Sequence, residues 1–189
     1  MKERGLIIGR FQPPHLGHVH LIQSSLEKVD ELVIVIAAAQ LSHSLKNPFT
    51  AGERLEMLRL SLQEQNINPN KYWLICVPDI MDNAIWVPHV LRYCPKINVY
   101  FGNNPFTNQL ISEAGIPILQ PELYDRNRYE GTRIRNKILK GSDLTDLLAT
   151  DVIKLINGWG IQNRFLAFTQ TDSTKDGNQT SGTELLRDN

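Results

Sequence analysis

ELVIVIAAA, Glu31 to Ala39, is the stretch on which the fold turns. A continuous run of β-branched and aliphatic residues reads as a strand buried on both faces, which is the habit of parallel sheets. Working outward, GLIIG (Gly5–Gly9) is an earlier strand-length apolar run. Between the two lies GHVHLIQSSLEKV, where Val19, Ile22, Leu26 and Val29 recur at three- and four-residue steps and define one buried helical face. Downstream, FTAGERLEMLRLSLQEQ reads as a helix capped by Thr50, with Glu53 three residues on completing a capping box. YWLICVP is a third strand, AIWVPHVLRY a helix despite Pro88, KINVYFG a fourth strand, NPFTNQLISEAG a helix closed by Gly115, and IPILQP a short fifth strand. This β-α alternation predicts a Rossmann-like, doubly wound parallel sheet with helices on both faces. With RYEGTRIRNKILKG comes a further helix of about two to three turns, then a short one around DVIKLIN. The expected layout is one α/β domain over 1–168, ending in a small helical appendage from about residue 141. From Thr169 the chain turns polar, with little apolar material to repay ordering, so 169–189 is expected to be a flexible tail.

Composition narrows the function. The 189 residues hold 20 Lys plus Arg and 20 Asp plus Glu, so the formal charge is zero, which argues against a nucleic-acid or membrane-surface partner. A small anion gripped by a few local cations stays open. Cys76 and Cys94 show no CxxC spacing and read as reduced packing residues. The first residues carry no signal-peptide pattern and no run is long enough to span a bilayer, so the expected compartment is the cytoplasm.

In an open parallel sheet, ligands bind at the carboxyl ends of the strands. GRFQPPHLGH occupies the end of the first strand and the start of the first helix. Gly9 and Gly17 let backbone approach a ligand, and the amides near Gly17 and His18 are orphan donors that favour an anion. His15 and His18, three apart, can face one site from the first helical turn; His20 points elsewhere and reads as structural or surface. The two histidines suit anion contact better than metal ligation, because no third ligand or HExxH pattern completes a metal set. Late in the chain DRNRYEGTRIRNKIL offers Thr132 at a helix start and Arg135 three residues on, with Arg126 and Arg128 before them. A solvated basic helix end is the plain alternative for that cluster. Lys46, in the loop after the second strand, is equally compatible with phosphate contact and with a mobile surface lysine. Asp79, Asn83 and Trp86 follow the third strand and suit a flat ring bearing a carboxamide, although Trp86 reads as well as ordinary core. Gly102 and Asn103 form a turn at the end of the fourth strand, where they can flank a base. No G-x-G-x-x-G follows the first strand, which removes a dinucleotide-binding dehydrogenase from consideration.

GRFQPPHLGH resembles the HxGH signature of the nucleotidyltransferase superfamily, and GTRIR its second signature, a Ser or Thr followed three residues later by Arg. AQLSHSLKNPFTAGER and DIMDNAIWVPH are more specific. They resemble the archaeal-type nicotinamide-nucleotide adenylyltransferases, with similarity from about Gly5 to about Asn157. The resemblance implies that nicotinamide mononucleotide (NMN) and ATP are converted to NAD and pyrophosphate, with Mg2+ accompanying ATP and no metal held by the protein alone. It implies a catalytic set of Arg10, His15, His18 and Arg135. Gly9, Phe11, Gly17, Lys46, Arg126 and Thr132 are implied to bind the ATP phosphates, and Ala39, Gln40, Asp79, Asn83, Trp86, Gly102 and Asn103 to bind NMN or NAD. A homo-oligomer, a hexamer in homologues of this type, is implied in the same way. Histidines beside phosphates are expected to be pushed toward the charged form by the anion.

The chain departs from the family pattern in places. Pro14 stands where an aromatic or aliphatic residue is common. Lys46 replaces a frequent Arg and loses the bidentate fork. Ala37 and Ala38 replace a frequent Gly-Ser pair, and GWGIQNRFLAF after Asn157 matches nothing recognised. The rival readings are a transferase directed to pantetheine phosphate, a flavin or a CTP-dependent acceptor, and a nucleotide-binding protein without catalysis.

Overall fold

A computed structural model describes residues 2–175, apart from Leu123 and Arg126, and gives the backbone alone for 169–175. Five strands form one sheet in the order β3-β2-β1-β4-β5. These are β1 (Arg4–Gly9), β2 (Glu31–Ile36), β3 (Tyr72–Cys76), β4 (Val99–Phe101) and β5 (Ile118–Leu119). Every pairing is parallel, with Gly9 opposite Ile36 and Ile36 opposite Cys76. All six residues of β2 are buried, as its unbroken apolar run requires of a strand covered on both faces. The chain leaves β1 toward β2 on one side and later sets β4 on the other side of β1. The strand order therefore reverses at β1, and the crevice of a doubly wound sheet opens at the carboxyl ends there.

Alternation along the strands assigns side chains to two layers. On one face Ile7, Ile34 and Ile36 pack with Val19 and Ile22 of α1 (Leu16–Leu26) and with Leu58 and Leu62 of α2 (Ala51–Glu64). On the other, Leu6, Val33 and Val35 pack with Val87 and Val90 of α3 (Trp86–Leu91) and Ile111 of α4 (Pro105–Glu113). Each such aliphatic side chain, fully removed from water, contributes about 1.5–3 kcal/mol before entropy is counted.

The C-terminal helices build a third cluster on the far side of α2. Ile134 and Ile138 of α5 (Gly131–Leu139), Val152 and Ile156 of α6 (Thr150–Gly158), and Ile161 and Phe165 of α7 (Ile161–Lys175) surround Phe49 and Met57. Helix α2 is thus clasped between the sheet and the α5–α7 group. Arg164 of α7 forks onto Glu53 at 2.9 and 2.8 Å, and Glu53 also closes the Thr50 capping box. Helix α7 continues through Lys175, past the point where the polar tail was expected to begin. Residues 176–189 lie outside the described part of the chain.

Candidate active site

The loop from β1 to α1 is built around two histidines that cap each other. The backbone N–H of His18 donates to Nδ1 of His15 at 3.3 Å, and the backbone N–H of His15 donates to Nδ1 of His18 at 3.2 Å. This is a capping box in which imidazoles replace the usual hydroxyl and carboxylate. The rings stack at 3.6 Å. Because both Nδ1 atoms accept, each neutral ring carries its proton on Nε2, leaving an Nε2–H free to donate outward. Burial lowers the pKa of His15 to about 4 and that of His18 well below its ordinary value, with the neighbouring His15 adding to the second effect. Donation therefore comes from a fixed neutral tautomer before any anion arrives, and not from a pre-charged imidazolium.

The helix opening is packed from two sides. Phe11 lies 4.7 Å from His18, and Tyr129 stacks on His15 at 5.8 Å. A Cβ on Gly17 would sit 2.8 Å from Tyr129 Cβ, so only glycine lets the segment before α5 come this close. Across that contact Arg135 of α5 donates from Nη1 to the carbonyl of Gln12 at 3.0 Å and from Nη2 to Thr132 Oγ1 at 3.1 Å. Gln12 is buried and exchanges two hydrogen bonds with the backbone of Phe49, fixing this carbonyl. Thr132 is a first-turn residue of α5, since Glu130 holds the cap position without a side-chain cap bond. Burial, then the nearby charge of Arg10, lowers the Arg135 pKa from its usual value. The Arg10 charge is thus near enough to act on Arg135, and both cations lie by the loop that carries the two neutral histidine donors.

The loops after β2 and β3 meet through Gln40 and Asp79. Gln40 Nε2 donates to the Asp79 carbonyl at 3.0 Å, and the Asp79 N–H donates to Gln40 Oε1 at 2.8 Å. Trp86 Nε1 donates to Asp79 Oδ1 at 2.7 Å, which orients the half-buried indole. Asn83 is exposed in the short 3-10 turn Asn83–Ile85 just before Trp86. Past β4, a Cβ on Gly102 would lie 2.2 Å from the Tyr100 hydroxyl, and Asn103 Nδ2 donates to the Pro121 carbonyl at 2.8 Å.

A family model described as Cytidylyltransferase-like matches residues 6–137, the span from β1 into α5. The nicotinamide-nucleotide adenylyltransferase of Saccharolobus solfataricus is 43% identical over 153 residues, covering 81% of this chain and 89% of that one. The enzyme of the same name from Methanolobus tindarius is 41% identical over 169 residues, covering 89% and 96%. The chain belongs to the nicotinamide-nucleotide adenylyltransferase family. A bifunctional NMN adenylyltransferase/ADP ribose pyrophosphatase from Francisella tularensis shares the fold, with a TM-score of 0.78 at 18% identity. That match covers 93% of this chain and 55% of the bifunctional protein, so the chain spans about half its length. The same Francisella protein complexed with AMP and manganese superposes with a TM-score of 0.76.

Not every expected residue joins these clusters. Lys46 is exposed on the loop before α2, with no hydrogen bond or ion pair among the described residues. Arg126 lies outside the described residues, and Arg128 is turned to Asp146, 3.0 Å away. His20 is exposed and stacks on Tyr124, in keeping with a surface role. Among the described residues no group of three or more His, Cys, Asp or Glu lies together as a cation site. The surroundings of His15 are cationic, which suits a hard divalent ion only when phosphate oxygens bring their own charge. Sequence reasoning missed Gln12, Tyr129 and Arg54. Arg54 had left a signal: with Met57, Leu58, Ser61 and Leu62 it falls on the apolar stripe of α2, where a charge is out of place.

Proposed function

We propose that this adenylyltransferase makes NAD and pyrophosphate from NMN and ATP, in NAD biosynthesis, by direct in-line attack without a covalent intermediate. The observation that carries this reading is the meeting of His15, His18 and Arg135 on one loop at the carboxyl end of β1. A phosphate oxygen of NMN attacks the α-phosphorus of ATP, forming the new P–O bond. The bond from that phosphorus to the bridging oxygen breaks, and pyrophosphate leaves with the electron pair. The nucleophile is already deprotonated at neutral pH, so the reaction calls for orientation and charge stabilisation and no general base. The Nε2–H groups of His15 and His18, with Arg10 and Arg135, face the phosphates on which charge accumulates. Thr132 and the first amides of α5 hold the leaving pyrophosphate. Gln40, Asp79 and Trp86 frame the nicotinamide end, with Ala39, Asn83, Gly102 and Asn103 beside it. Magnesium neutralises part of the phosphate charge and enters with ATP as part of the substrate.

The deciding experiment supplies purified protein with ATP, Mg2+ and NMN and follows NAD and pyrophosphate by chromatography. Formation of both in equal amounts is expected. Transfer only to pantetheine phosphate, FMN or a CTP-dependent acceptor offered in parallel would replace the proposed substrate. Binding of ATP with no transfer to any acceptor would leave a nucleotide-binding protein. No helix among the described residues is long and apolar enough to cross a membrane, in line with a proposed cytoplasmic enzyme. Light scattering tests the proposed hexamer.

A further inference from the structure

Arg54 is fully buried, yet no carboxylate among the described residues pairs with it. The contrast is Glu31, the one buried carboxylate among the described residues, which is held by Lys2 and Arg4 at the opposite end of the sheet. A buried unpaired cation persists only where many acceptors surround it. Arg54 rises from the apolar stripe of α2 and donates to the carbonyls of Arg10 at 2.9 Å, Ala37 at 2.8 Å, Ala38 at 3.1 Å and Ala39 at 3.4 Å, besides Thr50 in its own helix at 3.2 Å. Four of these carbonyls belong to the two loops that leave β1 and β2 at the crevice. In each loop the next turn is left-handed at a residue with a Cβ: Phe11 at φ 50° and Ala38 at φ 50°. Such residues are held there by their surroundings, not by preference.

Peptide geometry connects the clamp to the ligand. In a trans peptide the N–H points opposite to the carbonyl. The Arg10 carbonyl shares its peptide with the N–H of Phe11, and the Ala37 carbonyl with that of Ala38. With both carbonyls turned onto Arg54, both N–H groups point away from it. Among the described residues neither is donated to a protein acceptor. One outward amide from each of two neighbouring strand ends leaves a pair of donors that a single anion can share.

We propose that Arg54 is a positioning residue for ATP: one guanidinium locks the loops after β1 and β2 in left-handed turns that aim the Phe11 and Ala38 amides at the triphosphate. The inference rests on the adenylyltransferase reading, which names the triphosphate. Lysine is the informative replacement because it keeps the charge and loses the planar fork that reaches four loop carbonyls. In the 189-residue chain, Arg54→Lys is expected to remain folded by circular dichroism, to weaken ATP binding about tenfold or more by calorimetry, and to lower kcat about tenfold or more. Adding Ala38→Gly to Arg54→Lys is expected to recover about threefold or more of the ATP affinity, since glycine adopts the left-handed turn without a clamp.

An Arg54→Lys protein with ATP affinity and kcat within about threefold of the parent overturns the proposal, as does an Ala38→Gly addition that recovers nothing. Independently of any variant, pyrophosphate titrated into the isotope-labelled parent protein is expected to move the Phe11 and Ala38 amide resonances among the largest of all. Amides that do not respond overturn the proposal even if the lysine variant fails to fold. A parent that binds ATP through these amides but forms no NAD would sink the activity reading and leave the positioning role standing.

Discussion

His15 and His18 each use one ring nitrogen for the helix and, in the proposed chemistry, the other for a ligand. The two uses separate under substitution. Asparagine is a good N-cap acceptor and glutamine a usual third-position partner, but an amide whose oxygen caps the helix turns its NH2 off the line of the Nε2–H. His15→Asn and His18→Gln are therefore expected to lower kcat roughly a hundred- to a thousandfold while Tm shifts by only a few degrees, read by steady-state kinetics and calorimetry. A parallel loss of stability and activity would mean that the rings serve packing alone. The same burial makes stability depend on pH. With His15 at about 4 in the folded protein and near 6.5 when unfolded, the unfolded chain binds the extra proton between those values. Stability is thus complete above pH 6.5 and declines as the pH falls toward 4, by about 3 kcal/mol for His15, with His18 acting in the same direction. Tm measured from pH 7.5 down to 4.5 should fall, and the fall should be shallower in His15→Asn. At this scale the histidines were legible as a pair from their three-residue spacing, although His15 stands at the N-cap with extended backbone and not in the first helical turn. Their mutual cap was not, since Nδ1 can accept from backbone only once φ and ψ of the loop are known. Arg54 hid for a different reason: its partners are carbonyls, and carbonyls leave no mark in a sequence.

Helices carried the clearest sequence signal where their caps are chemical. Thr50 and Glu53 announced the start of α2, and the capping box is present. Helix α5 was harder, because Glu130 caps it without a side-chain bond and its start is set by packing of Ile134 and Ile138. The clasp of α7 on α2 had no local signature, since Arg164 and Glu53 are 111 residues apart. Removing that fork should loosen the C-terminal helices while sparing the histidine loop. Arg164→Ala is expected to cost about 2 kcal/mol, the usual worth of charge-assisted hydrogen bonds in a half-buried pair, measured by urea unfolding. Limited proteolysis should cut first within α7 of the variant. Its kcat should stay within about threefold of the parent, because no residue of the proposed chemistry lies on α7.

Across the whole molecule, strand order does what no single motif does: it brings residues 10–18 and 131–135 to the same end of the sheet. The alternation of strands and helices made this architecture legible, and the parallel run in β2 gave its most secure anchor. The meeting of the loops after β2 and β3 through Gln40 and Asp79 was not legible, because it depends on side-chain reach between two turns. A site assembled from both ends of the chain ties ligand binding to global stability. At ATP concentrations about a hundredfold above its dissociation constant, stabilisation of about 2.7 kcal/mol is expected, raising Tm by several degrees in a thermal scan with Mg2+ present. The full burial of β2 has a further bearing on turnover. Amides in a strand flanked by partners on both edges and covered on both faces exchange with deuterium only when the molecule unfolds as a whole. The base from which the Ala37–Ala39 loop springs therefore stays closed on the timescale of the proposed catalytic cycle, and an arriving nucleotide would meet a mould that has already set.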